Sequence, residues 1–207
     1  GRLINMKGVY GKSQMISFNQ TDWRTNREAS GGGILLDQGI HMLDLMRYLS
    51  GENFTEVFSF IDNAFWNFDV EDNAYILMRS PKGLVSQLHS SATQWRHRFN
   101  LDINLEKGSI IFGGILSGTK SYGAETLTVV KADPDNDLGD PMEQITRYNK
   151  DPSWGAEIDE FIDCIINNKQ VVNSTSDDAL QTMKLVQKIY YSDSSWRDKY
   201  DIPNPGN

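Results

Sequence analysis

Residues 31–51, GGGILLDQGIHMLDLMRYLSG, constrain the fold more than any other stretch of the chain. Three glycines open the segment and a fourth closes it, and the apolar residues between them have helical spacing. Leu35, Leu36, Ile40, Met42, Leu43, Leu45, Met46 and Leu49 cover most of the circumference. A helix that is apolar nearly all round is normally buried. Asp37, His41, Asp44 and Tyr48 interrupt it at intervals of four, three and four residues. At ~100° per residue these side chains fall within about 60° of one another. Burying a carboxylate or an imidazole is costly unless each has a partner. Such a polar stripe is therefore either a satisfied internal network or the wall of a site.

The 207 residues are enough for a full core, with 39% hydrophobic and 23% charged residues as in ordinary globular proteins. A net charge of −8 with scattered Lys and Arg disfavours a nucleic-acid surface, which needs clustered cations against phosphate. No apolar run approaches the ~20 residues of a membrane span. The single cysteine, Cys164, excludes an internal disulfide and a cysteine-built zinc site. Cytoplasmic residence is the simplest expectation. The chain opens abruptly in the strand-like GRLINMKGVY, as expected of a piece of something longer.

Residues 3–18 read as one or two strands, with Gly8 and Gly11 permitting a bend or bulge. Residues 19–30 read as a polar loop carrying Trp23. After the glycine-led helix, Val57–Ile61 is a short strand. Ala74–Arg79 and Leu84–Ser90 form a hairpin about Ser80-Pro81-Lys82-Gly83. Arg98–Glu106 alternates apolar and polar residues, as in a strand with one wet face. Lys107-Gly108 turns it into Ser109–Phe112, and Thr126–Lys131 adds another strand. Short turns between successive strands require antiparallel pairing. Residues 132–153 read as loop, rich in Asp, Asn, Gly and Pro. Asp151-Pro152 starts a helix running to about Asn168, with Trp154, Ile158, Phe161, Ile162 and Ile165 as its apolar stripe. Ser174 and Asp177 form a capping box for a last helix that buries Ala179, Met183, Val186 and Tyr190. The tail from Ser192 to Asn207 reads as loop. The order predicts one α+β domain over residues 1–207, an open and mainly antiparallel β-sheet with helices packed on one face.

These residues carry a resemblance. The segment from Gly31 resembles the GGG-x3-D-x-G-x-H-x2-D signature of the glucose–fructose oxidoreductase, inositol dehydrogenase and MocA family. GRLINMKGVYGKS, DNAYILMRSPKGLVSQLHSSATQW, NLEKGSIIF and NSTSDDALQTMKLVQKIYYSDSS resemble further pieces of that family in the same order, so the likeness covers nearly the whole chain. It implies the family's C-terminal domain, of dihydrodipicolinate-reductase-like fold. Family members begin with a Rossmann domain bearing a glycine-rich loop and a Glu-Lys-Pro motif whose lysine is catalytic. No G-x-G-x-x-G occurs here. Glu106-Lys107-Gly108 sits in a hairpin turn and takes no catalytic role. The resemblance therefore implies a substrate-side domain without its cofactor half. Alone it would bind NAD or NADP poorly and catalyse nothing.

Oxidising a sugar hydroxyl removes a hydride from carbon and a proton from oxygen. Histidine titrates near neutrality and suits the proton. The resemblance implies His41 as that base, or as partner of the missing lysine. Asp37, one turn earlier, would bind a sugar hydroxyl or hold the imidazole. Gly32 and Gly33 would let backbone approach the cofactor. Trp23 offers an aromatic face to a sugar ring, and Arg24 a guanidinium to a carboxylate or phosphate. Lys12, Tyr10 and Asp44 are weaker candidates, since Asp44 could instead pair with Arg47. Tyr48, His89, His97 and Cys164 read as structural.

No metal site is assigned. Asp133, Asp135 and Asp137 miss a calcium loop because the glycine falls one place late and Gln144 stands for the distal acid. Gly113–Lys120 fails as a phosphate loop. Phe58, Phe60, Trp66 and Trp95 would supply aromatic surface for a homodimer or homotetramer through the sheet face. The expected parent is an NAD(P)-dependent oxidoreductase of a sugar, cyclitol or sugar derivative. The alternatives are a non-enzymatic sugar-binding or dimerisation module and an NAD-dependent glycosidase of the same family.

Overall fold

The computed structural model describes residues 1–14, 22–116, 120–172 and 174–206. β1 (Leu3–Gly11) leads through a 3-10 turn (Asp22–Thr25), a single turn α1 (Arg27–Ser30) and a π-helical turn (Leu35–Gly39) into α2 (Ile40–Ser50). β2 (Glu56–Asp62), β3 (Asn73–Arg79), β4 (Val85–Ser91), β5 (Arg98–Leu105), β6 (Gly108–Gly113), β7 (Glu125–Lys131) and β8 (Glu143–Tyr148) follow. α3 (Ser153–Ile166), α4 (Ser176–Ser192) and α5 (Ser194–Lys199) close the chain.

The strands form one eight-stranded sheet in the order β2-β3-β4-β1-β5-β6-β7-β8. Every pairing is antiparallel except β1 with β4. The helical excursion after β1 sends the chain to the far edge, and the β2–β4 meander brings it back alongside. α2 and α4 cover one face. Their Met42, Leu43, Met46, Leu185, Val186 and Ile189 share a core with Met6, Ile76, Leu88, Leu101 and Ile103 from the strands. Gly8 neither bends nor bulges β1. A Cβ there would stand 2.6 Å from Met46 Cε, so the glycine lets α2 lie close on the strand. The register irregularity in β1 falls instead between Leu3 and Asn5.

The architecture is the expected α+β one, and several local readings are corrected. Residues 22–30 are largely helical rather than loop, and residues 15–21 lie outside the described residues. The loop reading of 132–153 hides β8, whose side chains are all exposed. An edge strand wet on both sides has no hydrophobic alternation to reveal it. The Gly113–Lys120 stretch lies partly outside the described residues, at 117–119. α4 is capped by Thr175, whose side chain accepts from Asp178 N–H, and it buries Thr182, Leu185, Val186, Ile189 and Tyr190 while Ala179 and Met183 stay exposed. The tail is not all loop. α5 forms after Asp193, whose carboxylate accepts from Trp196 N–H, and the Trp196 side chain is buried. α3 has the expected span, but none of its residues is buried, so the helices on the sheet face are α2 and α4.

Candidate functional site

Glu71, fully buried just before β3, organises the glycine turn. Its carboxylate accepts from Gly33 N–H at 2.8 Å, Leu35 N–H at 2.9 Å and the Tyr190 hydroxyl at 2.7 Å. Its carbonyl accepts from Ile34 N–H at 3.1 Å. Burial pushes the Glu71 carboxyl up, and these donors oppose the shift. Burial and the neighbouring Glu71 charge push the Tyr190 hydroxyl well up. Gly32 and Gly33 are buried against this pair. A Cβ on Gly32 would stand 2.2 Å from the Tyr190 hydroxyl, and one on Gly33 2.1 Å from the Glu71 carbonyl oxygen. Gly32 and Gly33, expected to let backbone approach the cofactor, pack here against Tyr190 and Glu71. The close approach they permit is to the protein's own interior, and the Gly33 N–H is already bound.

The turn that Glu71 holds carries Asp37, and a π-helical turn is a frequent feature of functional sites. Lys12, just past β1, donates to Asp37 Oδ2 at 2.6 Å. Arg24 Nε lies 3.6 Å from Oδ1, and its guanidinium stands over the Trp23 ring at 4.4 Å. Four of the residues singled out in the sequence (Lys12, Trp23, Arg24 and Asp37) thus come together. Gln38 donates to the Tyr122 hydroxyl at 2.9 Å, and the Tyr122 ring meets Tyr10 edge-on at 5.5 Å. Burial, then the neighbouring Tyr122 phenol and the charge of Asp37, pushes the Tyr10 hydroxyl up. Burial also raises Tyr122, against the Gln38 hydrogen bond. His97 is bonded between Ser13 Oγ at 3.0 Å and Ser121 Oγ at 2.6 Å. Burial, then the charge of Lys12, lowers its pKa.

The rest of the polar stripe divides. His41 is exposed on the first turn of α2. Asp44 faces α4: it accepts from Thr182 Oγ1 at 2.7 Å and lies 3.6 Å from Arg47. Arg47 is buried and reaches Asp178 Oδ1 at 2.9 Å and Asn53 Oδ1 at 3.0 Å. Asp44 therefore belongs to a helix–helix clamp rather than to the Asp37 cluster. Tyr48 points to solvent.

The GFO/IDH/MocA C-terminal domain profile matches residues 1–111. The chain belongs to this family. A 1,5-anhydro-D-fructose reductase of Ensifer adhaerens is 26% identical over 106 residues, 51% of this chain and 32% of that protein. An aldose–aldose oxidoreductase of Caulobacter crescentus, solved with glycerol, superposes with a TM-score of 0.73 at 23% identity, over 93% of this chain and 53% of that one. A levoglucosan dehydrogenase, solved with NADH and levoglucosan, superposes with a TM-score of 0.75 at 20% identity, over 94% of this chain and 57% of that one. At these identities the structural likeness is one of fold, and the chain spans about half the length of those solved structures.

Within this GFO/IDH/MocA domain, sequence reasoning missed Glu71 and Tyr122 and read His97 as structural. Each is a polar residue with no periodic signal, and only tertiary placement brings it to the glycine turn or the Asp37 cluster. Asp72 escaped notice too. Its carboxylate accepts from the N–H groups of Ala64, Phe65 and Trp66 and so shapes the aromatic loop before β3. Among the described residues the glycine turn offers no dinucleotide-phosphate cradle, since the Gly33, Ile34 and Leu35 N–H groups are all spent on Glu71.

Proposed function

We propose that this chain is the substrate-side domain of an NAD(P)-dependent oxidoreductase acting on a sugar, cyclitol or sugar derivative. The observation that carries the reading is the Asp37 cluster. A signature carboxylate is fixed by Lys12 and Arg24 one helical turn before His41, at the mouth of a rigid glycine turn. Relatives that reduce anhydrofructose or oxidise levoglucosan support a sugar as substrate. On this reading the dinucleotide is held mainly by an N-terminal Rossmann domain, and the substrate-side domain alone does not turn over. His41, exposed on the first turn of α2, takes the proton of the reacting hydroxyl. Asp37 orients that hydroxyl, and the Trp23 ring lies alongside the sugar. The lone cysteine and an acidic surface fit a cytoplasmic protein, and no described helix is long and apolar enough to cross a membrane.

The test is a screen of the full-length protein against sugars and inositols, followed by nicotinamide absorbance. His41→Ala is expected to lower turnover by ~10²–10⁴-fold, the range for loss of a general base. Wild-type turnover by that variant overturns the role of His41.

A further inference from the structure

The charges around Asp37 do not balance. Lys12 Nζ lies 2.6 Å and Arg24 Nε 3.6 Å from its two oxygens, so two cations meet one carboxylate. Among the described residues neither cation has a second acidic partner. The Lys12 side chain is only 15% exposed, where solvent screens a charge poorly. The terminal nitrogens of Arg24 have no hydrogen-bond partner among the described residues, and its planar guanidinium lies 4.4 Å from the Trp23 ring centroid. The donor fork of a guanidinium matches the two oxygens of a carboxylate or phosphate. The nearby groups do not cancel the surplus. His97 is pushed toward its neutral form, and Tyr10 and Tyr122 are held as neutral phenols. Among the described residues, a chain of net charge −8 thus sets two cations against one carboxylate at the site its signature marks.

Resting on the sugar-oxidoreductase reading above, we propose that the substrate is an acidic sugar. It is a polyhydroxylated compound whose carboxylate or phosphate group is received jointly by Lys12 and Arg24. The anion completes the charge balance that Asp37 leaves open, and the hydroxyl groups meet Asp37, Gln38 and Tyr122.

The test is a titration of the 207-residue chain, followed by NMR at the arginine Nε–H groups. The probes are D-glucuronate, D-glucose 6-phosphate and uncharged D-glucose. A saturable shift of Arg24 is expected with a charged sugar, at an affinity at least about tenfold above that for glucose. Preference between the two charged probes identifies carboxylate or phosphate. Lys12→Met and the more exposed Arg24→Gln should each weaken the charged sugar by about tenfold or more, and weaken it more than they weaken glucose. Three outcomes overturn the proposal: glucose binding as tightly as both charged sugars, charged-sugar binding that survives both substitutions, or no saturable shift with any probe. The first two leave the sugar-oxidoreductase reading standing, since it requires only a polyol. That reading fails separately, if the full-length screen finds no turnover.

Discussion

A carboxylate removed from water needs its charge met by donors, and Glu71 draws them from two N–H groups of the glycine turn and a hydroxyl of α4. Its burial raises its pKa above the ordinary 4.5, so the native state keeps this proton to higher pH than the unfolded chain. Above about pH 4.5 the native state therefore binds the extra proton, and this group's contribution to stability falls as pH rises through the window up to the native pKa. Glu71→Gln should abolish that decline. It should also cost about 1–3 kcal/mol, because an amide nitrogen cannot accept from the Gly33 N–H. Urea denaturation of both proteins between about pH 5 and pH 8 checks both effects. Equal pH slopes for the two proteins would mean that Glu71 is not desolvated as described. Asp37 and His41 were legible in the sequence because a spaced signature carries them. Glu71 was not, because burial of a residue between a loop and a strand is set by tertiary packing. The partnership of Lys12 with Asp37, 25 residues apart, was equally hidden: pairing across a sheet and a helix leaves no local spacing.

At the scale of elements, periodicity finds a helix and its apolar side but not what lies opposite. α3 shows the difference. Trp154 is 68% exposed, Phe161 64% and Ile165 65%, although the stripe has the spacing of a buried face. Phe161→Asp and Ile165→Asp should each change the stability of the isolated chain by no more than about 0.5 kcal/mol. Leu185→Ala, in the α4 stripe that is buried, should cost about 2–5 kcal/mol. Chemical denaturation distinguishes them, and an α3 variant as costly as Leu185→Ala would mean that α3 is packed in solution. Asp44 illustrates the same limit with polar groups. Its helical phase placed it beside His41, but α4 supplies Thr182 and Asp178, and Arg47 binds both helices together. Arg47→Ala removes the buried guanidinium from this network and should lower stability by about 2–4 kcal/mol. The same denaturation assay reads it, and a loss within experimental error would reduce the clamp to a surface contact.

For the whole molecule, a sheet covered by helices on one face leaves the other to water or to a partner. Composition and turn spacing were enough to anticipate the open α+β layer. The parallel seating of β4 against β1 was not legible, because it depends on where the helical excursion deposits the chain. On the uncovered face Phe58 stands opposite Leu77 and Phe60 opposite Tyr75 in neighbouring strands. Phe58 and Phe60 are 71% and 77% exposed, and Tyr75 stacks on His89 at 4.2 Å. Four apolar side chains on adjacent strands make a continuous patch rather than scattered contacts. A two-fold interface through this face would bury the patch against its own copy, so one substitution acts twice. Phe60→Asp then sets two carboxylates into a shared apolar contact, where each lacks a partner and repels the other. We expect the wild-type chain to sediment as a dimer or larger species at micromolar concentration and Phe60→Asp to sediment as a monomer. The fold of the variant should be unchanged, because the Phe60 side chain contributes nothing to the core between sheet and helices. Sedimentation velocity of both proteins decides it. A wild-type monomer across the whole concentration range would mean that this face meets water, or another protein, rather than a second copy.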